Sequence, residues 1–144
     1  MLESWKSYSV GRGTDAPFEQ VGADWMDGVK LASYLNSRAI PGIRVYPTIF
    51  RPTSSNFAGQ EIEGIRFGVT GRDVFDSTRF GIELSSAIES LFAGKMNFDV
   101  NKKLIGNQEL LRALKLNVNP DTIQASLTAA RDEFLRTRRQ FLLY

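Results

Sequence analysis

The sequence predicts a single α+β domain in which a small β-sheet is covered by about four helices. Three observations lead to this fold class. The chain has 144 residues, which is the size of one domain and enough to bury a core without disulfides. Two segments, residues 43–50 and 65–70, alternate apolar and polar side chains as half-buried strands do. Other segments repeat apolar residues at helical spacing and begin near residues that cap helices well.

The first part of the chain is expected to form an extended segment, then a loop, then a helix. Residues 5–22 are rich in Gly, Ser and Thr and contain Pro17, a composition typical of a loop. Asp24 is placed to cap a helix that runs to about Ser37, with Asp27 in its favourable first turn. The apolar face of this helix is predicted to consist of Trp25, Val29, Ala32 and Leu35.

Two strands separated by a polar loop are expected next. In the first, apolar positions alternate from Ile43 to Ile49, and Pro47 favours an edge position or a bulge because it has no N–H to donate. In the second, Ile65, Phe67 and Val69 alternate with small or polar residues. The connection between them is mostly polar.

Three helices are predicted in the second half of the chain. Asp76 caps the first, which stops before Gly94. A short helix is expected at residues 108–115, capped by Asn107. Asn119 followed by Pro at the first helical position marks the start of the last helix. Its apolar stripe is predicted to be Ile123, Leu127, Ala130, Phe134 and Phe141.

Composition excludes several kinds of chemistry. The chain has no Cys and no His, which removes thiolate nucleophiles, Ser-His pairs and imidazole or thiolate metal ligands. No acidic run resembles a calcium loop, so we expect neither a metal nor another cofactor. The net charge of +2 gives no reason to expect a nucleic-acid partner. No apolar run is long enough to span a membrane, and no secretion signal is recognisable.

The most unusual segment is residues 9–15, where Arg12 stands between Gly11 and Gly13. Two glycines allow the backbone to approach a ligand closely and to turn its N–H groups toward an anion. The guanidinium of Arg12 adds a planar fork that suits a carboxylate or a phosphate. The segment is not a nucleotide P-loop, because the Gly-Lys-Ser/Thr ending is missing. The alternative is a tight turn whose arginine is solvated or structural.

The second candidate is residues 53–59, which place Asn56 beside Phe57 in a polar loop. An amide can hydrogen-bond the hydroxyl groups of a sugar, and an aromatic ring can cover the apolar side of the sugar ring. The alternative is a plain connecting loop with Phe57 packed in the core.

Carboxylates are the third class of candidate, because glycosidases commonly use two, about 5–9.5 Å apart. The sequence does not give their separations, and each carboxylate also suits a surface or capping role. Those considered near the candidate loops are Glu3, Asp15, Glu19, Glu61 and Asp73.

A series of short motifs, taken in order, resembles one known family. The motifs are SVGRGTD at residues 9–15, PFE at 17–19, VGA at 21–23 with Trp25, PT at 52–53, NFAG at 56–59 with Gly64, VT at 69–70 with Arg72, and FLLY at 141–144. Together they span nearly the whole chain and are similar to the C-terminal domain of the bacterial exo-β-N-acetylmuramidases of the NamZ type. Gly71 departs from the family pattern, in which Asp is expected at that position.

The resemblance implies one lobe of a glycoside hydrolase that removes N-acetylmuramic acid from the non-reducing end of peptidoglycan fragments. It also implies a Rossmann-like N-terminal domain, in cis or as a separate chain, that carries the main catalytic carboxylate across a shared cleft. That domain is absent from the chain, which we therefore expect to be inactive alone. Glu3 and Asp73 are the candidates for a catalytic carboxylate here. The implied substrate-binding residues are Ser9, Gly11, Arg12, Gly13, Thr14, Phe18, Asn56 and Phe57.

Two other functions stay open at this point. One is a non-catalytic module that binds cell-wall sugars, and the other is a structural domain whose loops only pack against another lobe. The family implies a bacterial periplasmic or extracellular location. A cytoplasmic location also stays open, because a chain without Cys fits either redox environment.

Overall fold

The computed structural model describes residues 7–142 and has the α+β architecture that the sequence predicts. Three strands form one antiparallel sheet: β1 is Gln20–Ala23, β2 is Ile43–Phe50 and β3 is Ile62–Val69. The strand order is β1-β3-β2, so β2 lies at an edge of the sheet and the prediction from Pro47 is confirmed.

The helices of the second half of the chain begin where their capping residues predict. Asp76, Asn107 and Asn119 each accept a hydrogen bond from a backbone N–H of the first turn. A short helical stretch that precedes the helix capped by Asn107 is absent from the sequence prediction, because it is too short to show a helical period. The helices are α1 (Gly28–Ser37), α2 (Ser77–Leu91), α3 (Lys102–Ile105), α4 (Gln108–Lys115) and α5 (Pro120–Arg139), with a 3-10 turn at Phe98–Asn101.

The start of α1 differs from the sequence prediction. Its N-cap is Asp27, whose side chain accepts a hydrogen bond from a first-turn N–H at 2.8 Å, and the prediction of Asp24 is wrong. The chain makes a turn directly after β1, where the Met26 N–H donates to the Ala23 carbonyl at 3.3 Å. Residues 24–26 therefore belong to this turn, and the helix begins later with a rotated apolar face. Its buried residues are Gly28, Leu31, Ala32 and Leu35.

The glycine-rich segment precedes a strand instead of following one. Ser9 forms an isolated antiparallel bridge with Gly22, and regular strand pairing begins only at Gln20. The residues between form a loop that folds back on itself, because the Phe18 N–H donates to the Val10 carbonyl at 2.8 Å. The Ser9 bridge therefore precedes the loop as predicted, but the regular strand β1 follows the loop.

The core lies between one face of the sheet and the helices. Aliphatic side chains from every layer are almost fully buried there, and burying each one stabilises the fold by about 1.5–3 kcal/mol. The close approach of α1 to the sheet requires Gly28, because a Cβ at that position would overlap the Gly64 carbonyl. The innermost side chains include Val21, Leu31, Leu35, Ile65, Ile82, Leu84, Ile88 and Leu114.

An ionic network around the buried Glu83 connects α1, α2 and α5. Arg38, just after α1, donates Nε and Nη2 to the two carboxylate oxygens of Glu83 in α2, at 2.9 and 3.1 Å. Its Nη2 also donates to Asp121 in α5 at 2.9 Å. Glu83 is fully buried, and the hydrogen bonds that Arg38 donates to Glu83 first and to Asp121 second raise the pKa of Arg38 above its ordinary value.

Only the first half of the predicted apolar stripe of α5 packs against the domain. Ile123 is buried and Leu127 packs against the core, but Phe134 and Phe141 are 63% and 76% exposed. The helix runs past the elements that its first turns contact, so the residues from 128 to 142 are all exposed. Across residues 7–142, no helix is long and apolar enough to cross a bilayer.

Candidate functional site

The two candidate loops lie against each other where β2 ends. Thr53, three residues after β2, donates its backbone N–H and its Oγ1 hydroxyl to the carbonyl oxygen of Gly13, at 2.8 and 2.9 Å. The Asn56 side chain donates through Nδ2 to the Tyr8 carbonyl at 3.1 Å. These bonds join both loops into one unit, so their candidate residues can act on one ligand. We call residues 9–19 and 52–59 the paired loops.

The hydroxyl groups of Ser9 and Thr14 bind the backbone of their own loop. Ser9 is buried, and its Oγ accepts from the Gly11 N–H at 3.2 Å. Thr14 Oγ1 donates to the Gly11 carbonyl at 2.7 Å and accepts from Gln20 Nε2 at 2.7 Å and from the Ala16 N–H at 3.2 Å. Both side chains therefore shape the loop that carries Arg12.

The two glycines of this loop make room for protein. Both have positive φ, +77° at Gly11 and +78° at Gly13, a conformation that glycine adopts without strain. A Cβ at Gly13 would lie 2.6 Å from the Ser54 nitrogen, and one at Gly11 would lie 2.6 Å from the Ala16 carbonyl oxygen. The space beside each glycine is thus filled from within the paired loops, which differs from the close ligand approach that the sequence suggests.

Arg12 and Phe18 form the solvent-facing part of the first loop. The guanidinium carbon of Arg12 lies 4.9 Å from the centroid of the Phe18 ring, within the range of a cation–π contact. The ring is 53% exposed, although Phe is usually buried. A planar cation stacked on an exposed aromatic surface can receive a ligand that has both an anionic group and an apolar face.

Backbone strain concentrates in the paired loops. Phe18, Ser55 and Phe57 have φ of 65°, 69° and 62°, a region that costs a non-glycine residue about 1–2 kcal/mol. Within residues 7–142 the other two such positions, Ala39 and Asn117, follow the ends of α1 and α4. Strained residues that cluster in loops favour a functional site, where the surrounding contacts hold them in place.

The carboxylates near the paired loops are exposed, and two of them pair with arginines. Glu19 lies 3.5 Å from Arg66 Nη2, and Glu61 lies 3.5 Å from Arg51 Nη2. Asp15 is exposed in the first loop. Among the described residues, Glu83 is the one buried carboxylate, and Arg38 binds both of its oxygens. The described chain offers no carboxylate in the buried, apolar setting that raises the pKa of a general acid.

Of the two candidates for a catalytic carboxylate, Asp73 lies away from the paired loops. Asp73 is exposed just after β3, at the end of the β2–β3 ladder where Ile43 pairs with Val69. The paired loops meet the other end, where Phe50 pairs with Ile62, about 24 Å away at the usual rise of a strand. Glu3 lies outside the described residues.

All eight predicted binding residues belong to the paired loops. Phe57 is half-buried and packs against the core, as the alternative interpretation of that loop expected. Two further residues, which the sequence motifs do not single out, support the first loop: Gln20 binds Thr14, and Arg66 pairs with Glu19. The sequence does contain a signal for Arg66. Ile65 and Phe67 alternate with it along the strand, which places the Arg66 side chain on the opposite, polar face of the sheet. Among the described residues, no three acidic side chains come together as a metal ion would need.

The fold and site define a class: a small α+β domain whose three-stranded sheet supports two interlocked loops with a cation and an aromatic ring at the surface. A solved structure has this fold. It is a DUF1343 family protein from Bacteroides fragilis, which matches with a TM-score of 0.81 over 96% of this chain and 38% of that chain. The two chains are 20% identical, so this similarity shows the fold alone.

Sequence comparison gives the particular family. Residues 1–144 match the family model described as the C-terminal part of the exo-β-N-acetylmuramidase NamZ, and the chain belongs to this family. The resemblance found in the motifs is thereby confirmed. The peptidoglycan β-N-acetylmuramidase NamZ of Bacillus subtilis (strain 168) is 30% identical over 139 residues, which is 94% of this chain. The chain spans 34% of the length of that relative.

Proposed function

We propose that this domain is the substrate-binding lobe of a peptidoglycan β-N-acetylmuramidase that removes N-acetylmuramic acid from non-reducing ends. The paired loops contribute to a cleft whose other wall is a Rossmann-like N-terminal lobe, in cis or on a separate chain. The observation that carries the proposal is Arg12 stacked on the exposed ring of Phe18, on a loop fastened by Thr53. Family membership supplies the substrate class.

The chemistry of N-acetylmuramic acid fits these groups. Its lactyl ether ends in a carboxylate, which the fork of Arg12 can bind through two parallel hydrogen bonds. The apolar side of the sugar ring can lie on Phe18. Asn56 uses Nδ2 to hold Tyr8, which leaves its amide oxygen to accept a hydrogen bond from a sugar hydroxyl.

The catalytic carboxylate comes from the other lobe in this proposal. Glu19 and Glu61 are exposed and pair with arginines, and Asp73 lies at the far end of the β2–β3 ladder. The B. subtilis relative is about three times as long as this chain, which leaves room for a second lobe. A carbohydrate-binding module that acts without a catalytic partner is the second candidate, and the same exposed Arg12–Phe18 stack favours it.

An NMR titration with N-acetylmuramic acid tests the binding role. We expect the amide resonances of the paired loops to shift, and those of α4 and α5 to stay unchanged. N-Acetylglucosamine, which lacks the lactyl group, is the matched ligand and should bind more weakly. The absence of shifts in residues 9–19 and 52–59 at millimolar sugar would contradict the proposal.

An activity assay separates the two candidate functions. The chain alone should not hydrolyse a chromogenic β-N-acetylmuraminide, and adding a separately expressed N-terminal domain of the family should restore turnover. Binding without any restored turnover would favour the carbohydrate-binding module. Robust hydrolysis by the chain alone would show that a carboxylate of this domain is catalytic.

A further inference from the structure

The sheet has a second face, turned away from α1 and α2. Alternation along the strands puts Arg44 and Tyr46 of β2 and Arg66 and Gly68 of β3 on this face. Strand pairing sets Tyr46 opposite Arg66 and Arg44 opposite Gly68. Tyr46 is 56% exposed, and both arginines are exposed. These four residues form a surface that we call the open sheet face.

The second face of the sheet is covered at one end and bare at the other. At the covered end the Phe50 ring lies against Gly22, where a Cβ would be 2.7 Å from a ring carbon. At the bare end a Cβ added to Gly68 meets nothing within 4 Å. The end of this face at Gly68 is therefore open, and the Tyr46 ring is exposed beside it.

A series of neighbouring residues connects the open sheet face with the paired loops. The Arg12 guanidinium lies over Phe18. The residue after Phe18 is Glu19, whose carboxylate lies 3.5 Å from Arg66 Nη2. Arg66 is in turn the cross-strand neighbour of Tyr46. Arginine and aromatic side chains therefore lie at several positions between the candidate sugar site and the edge strand.

We infer that the open sheet face binds the peptidoglycan strand beyond its terminal sugar, an inference that rests on the proposed function. Aromatic rings pack on the C–H side of sugar rings, and guanidinium groups pair with carboxylates. A glycan strand without stem peptides, in which every second sugar has a free lactyl carboxylate, presents these two features in alternation. Arg44 and Arg66 make the surface cationic, with one charge offset by Glu19, so it favours an acidic glycan over a neutral one.

Two substitutions test this face without removing a buried group. Tyr46→Ala deletes the aromatic surface. Gly68→Leu places a bulky side chain on the open sheet face. A strand tolerates Leu at a position with ordinary φ and free space around its Cβ. Val69→Leu is the matched control, because it adds a carbon to the next residue of the same strand, on the opposite face of the sheet.

The ligands are a tetrasaccharide of alternating N-acetylglucosamine and N-acetylmuramic acid, the monosaccharide N-acetylmuramic acid, and a neutral tetramer of N-acetylglucosamine. Tyr46→Ala and Gly68→Leu should each weaken the acidic tetrasaccharide about five- to tenfold. Both should leave monosaccharide affinity unchanged, and Val69→Leu should behave as wild type. The neutral tetramer should bind wild-type protein more weakly than the acidic one.

Specific outcomes would overturn the inference. Unchanged tetrasaccharide affinity in both variants, or equal losses for the monosaccharide and the tetrasaccharide, would remove the open sheet face from glycan binding. A wild-type dimer in sedimentation experiments that Tyr46→Ala disperses, with glycan affinity unchanged, would assign the face to a protein contact instead.

The same experiment distinguishes this inference from the proposed function. If Arg12→Ala abolishes monosaccharide binding while Tyr46→Ala affects no ligand, the proposed function stands and the inference fails. If Tyr46→Ala weakens the tetrasaccharide while the monosaccharide never binds, the open sheet face is a glycan site and the role of Arg12 fails.

Discussion

Thr53 donates both its backbone N–H and its hydroxyl to a single acceptor, the carbonyl oxygen of Gly13, across 40 positions of sequence. A carbonyl oxygen has two lone pairs, so one atom can hold both donors. The bond pair fixes the loop that carries Arg12 to the loop that carries Asn56. The orientation of Arg12 therefore depends on the connection between β2 and β3 as well as on the glycines beside it.

Replacing Gly13 with Ala should destabilise the domain and separate the paired loops. Alanine must adopt a positive φ at this position, which costs about 1–2 kcal/mol, and its Cβ meets the backbone of Ser54 at 2.6 Å. Urea unfolding should show a loss of about 2–5 kcal/mol in the free energy of unfolding, because overpacking adds about 1–3 kcal/mol to the conformational cost of about 1–2 kcal/mol.

Gly59→Ala is the matched control for that experiment. Gly59 has φ of +77°, almost the same as Gly13, but a Cβ there meets nothing within 4 Å. The control should show only the conformational cost. Equal losses in the two variants would mean that Ser54 moves away freely and that the contact between the loops contributes nothing.

Thr53→Val should remove one of the two hydrogen bonds to Gly13 and preserve the shape of the side chain. The expected loss is about 0.5–1.5 kcal/mol in the free energy of unfolding, the net contribution of a hydrogen bond. Thr70→Val is the control, since Thr70 is also exposed and its hydroxyl has no hydrogen bond within the described chain. A Thr53 variant as stable as the Thr70 variant would show that the hydroxyl bond adds no stability.

The sequence predicts where helices and strands lie along the chain better than it predicts which of them contact one another. Asp76 and Asn119 mark helix starts correctly, because a cap is a local interaction between residues two or three apart. The prediction that Asp24 caps α1 fails because Asp27, three residues later, can cap a helix equally well. The choice between them is made by the turn that follows β1, which depends on pairing with β3. Tertiary contacts therefore decide where local signals are ambiguous.

The candidate site likewise combines residues that the sequence singles out with contacts that the sequence does not reveal. The sequence singles out the segments with Arg12 and Asn56 by composition alone, and the structure brings them together. It does not reveal that Ser54 fills the space beside Gly13, because that contact spans more than 40 positions. The open sheet face is equally hidden, since Tyr46 and Arg66 meet only through strand register.

Glu83→Gln should be the most destabilising of the polar substitutions considered. It keeps the shape of the side chain but leaves Arg38 with one less counter-charge in a partly buried position. Breaking a buried ion pair costs about 3–5 kcal/mol, and the partial solvation of Arg38 places the expected loss near the lower end. Thermal and urea unfolding measure it. Asp121→Asn, whose side chain is 62% exposed, is the control and should cost less than about 1 kcal/mol.

Asp99 gives a pH-dependent prediction. Its carboxylate accepts a hydrogen bond from Lys115 at 2.7 Å, which lowers the pKa of Asp99 below its ordinary value. A lowered pKa in the folded state stabilises the fold above the pKa of the unfolded chain and loses that contribution as pH falls through the folded value. Wild type should therefore be more stable than Asp99→Asn near pH 7, and the difference should shrink below about pH 4.

Urea unfolding at a series of pH values measures this difference. Asp24→Asn is the control, because Asp24 is exposed and has no ion pair within the described part of the chain. Its stability relative to wild type should vary less with pH than that of Asp99→Asn. A gap between wild type and Asp99→Asn that stays constant from pH 7 to pH 3 would refute the contribution of Lys115.

Arg12→Ala should weaken the binding of N-acetylmuramic acid about ten- to a hundredfold. A hydrogen bond to a charged group contributes about 1.5–3 kcal/mol, which corresponds to that range in affinity. Arg12→Lys should recover only part of the loss, because Lys keeps the charge but not the planar fork. Isothermal titration of the three proteins measures the effect. Arg136→Ala, at an exposed arginine of α5 outside the paired loops, should bind as wild type does.

The comparison with N-acetylglucosamine identifies which part of the sugar Arg12 contacts. If the guanidinium binds the lactyl carboxylate, Arg12→Ala weakens N-acetylmuramic acid much more than N-acetylglucosamine, since the second sugar lacks that group. Equal weakening of both sugars at an unchanged melting temperature would mean that Arg12 contacts the ring or its acetamide instead. A large fall in melting temperature would assign Arg12 to holding the loop, through its stacking on Phe18, and would remove it from the ligand.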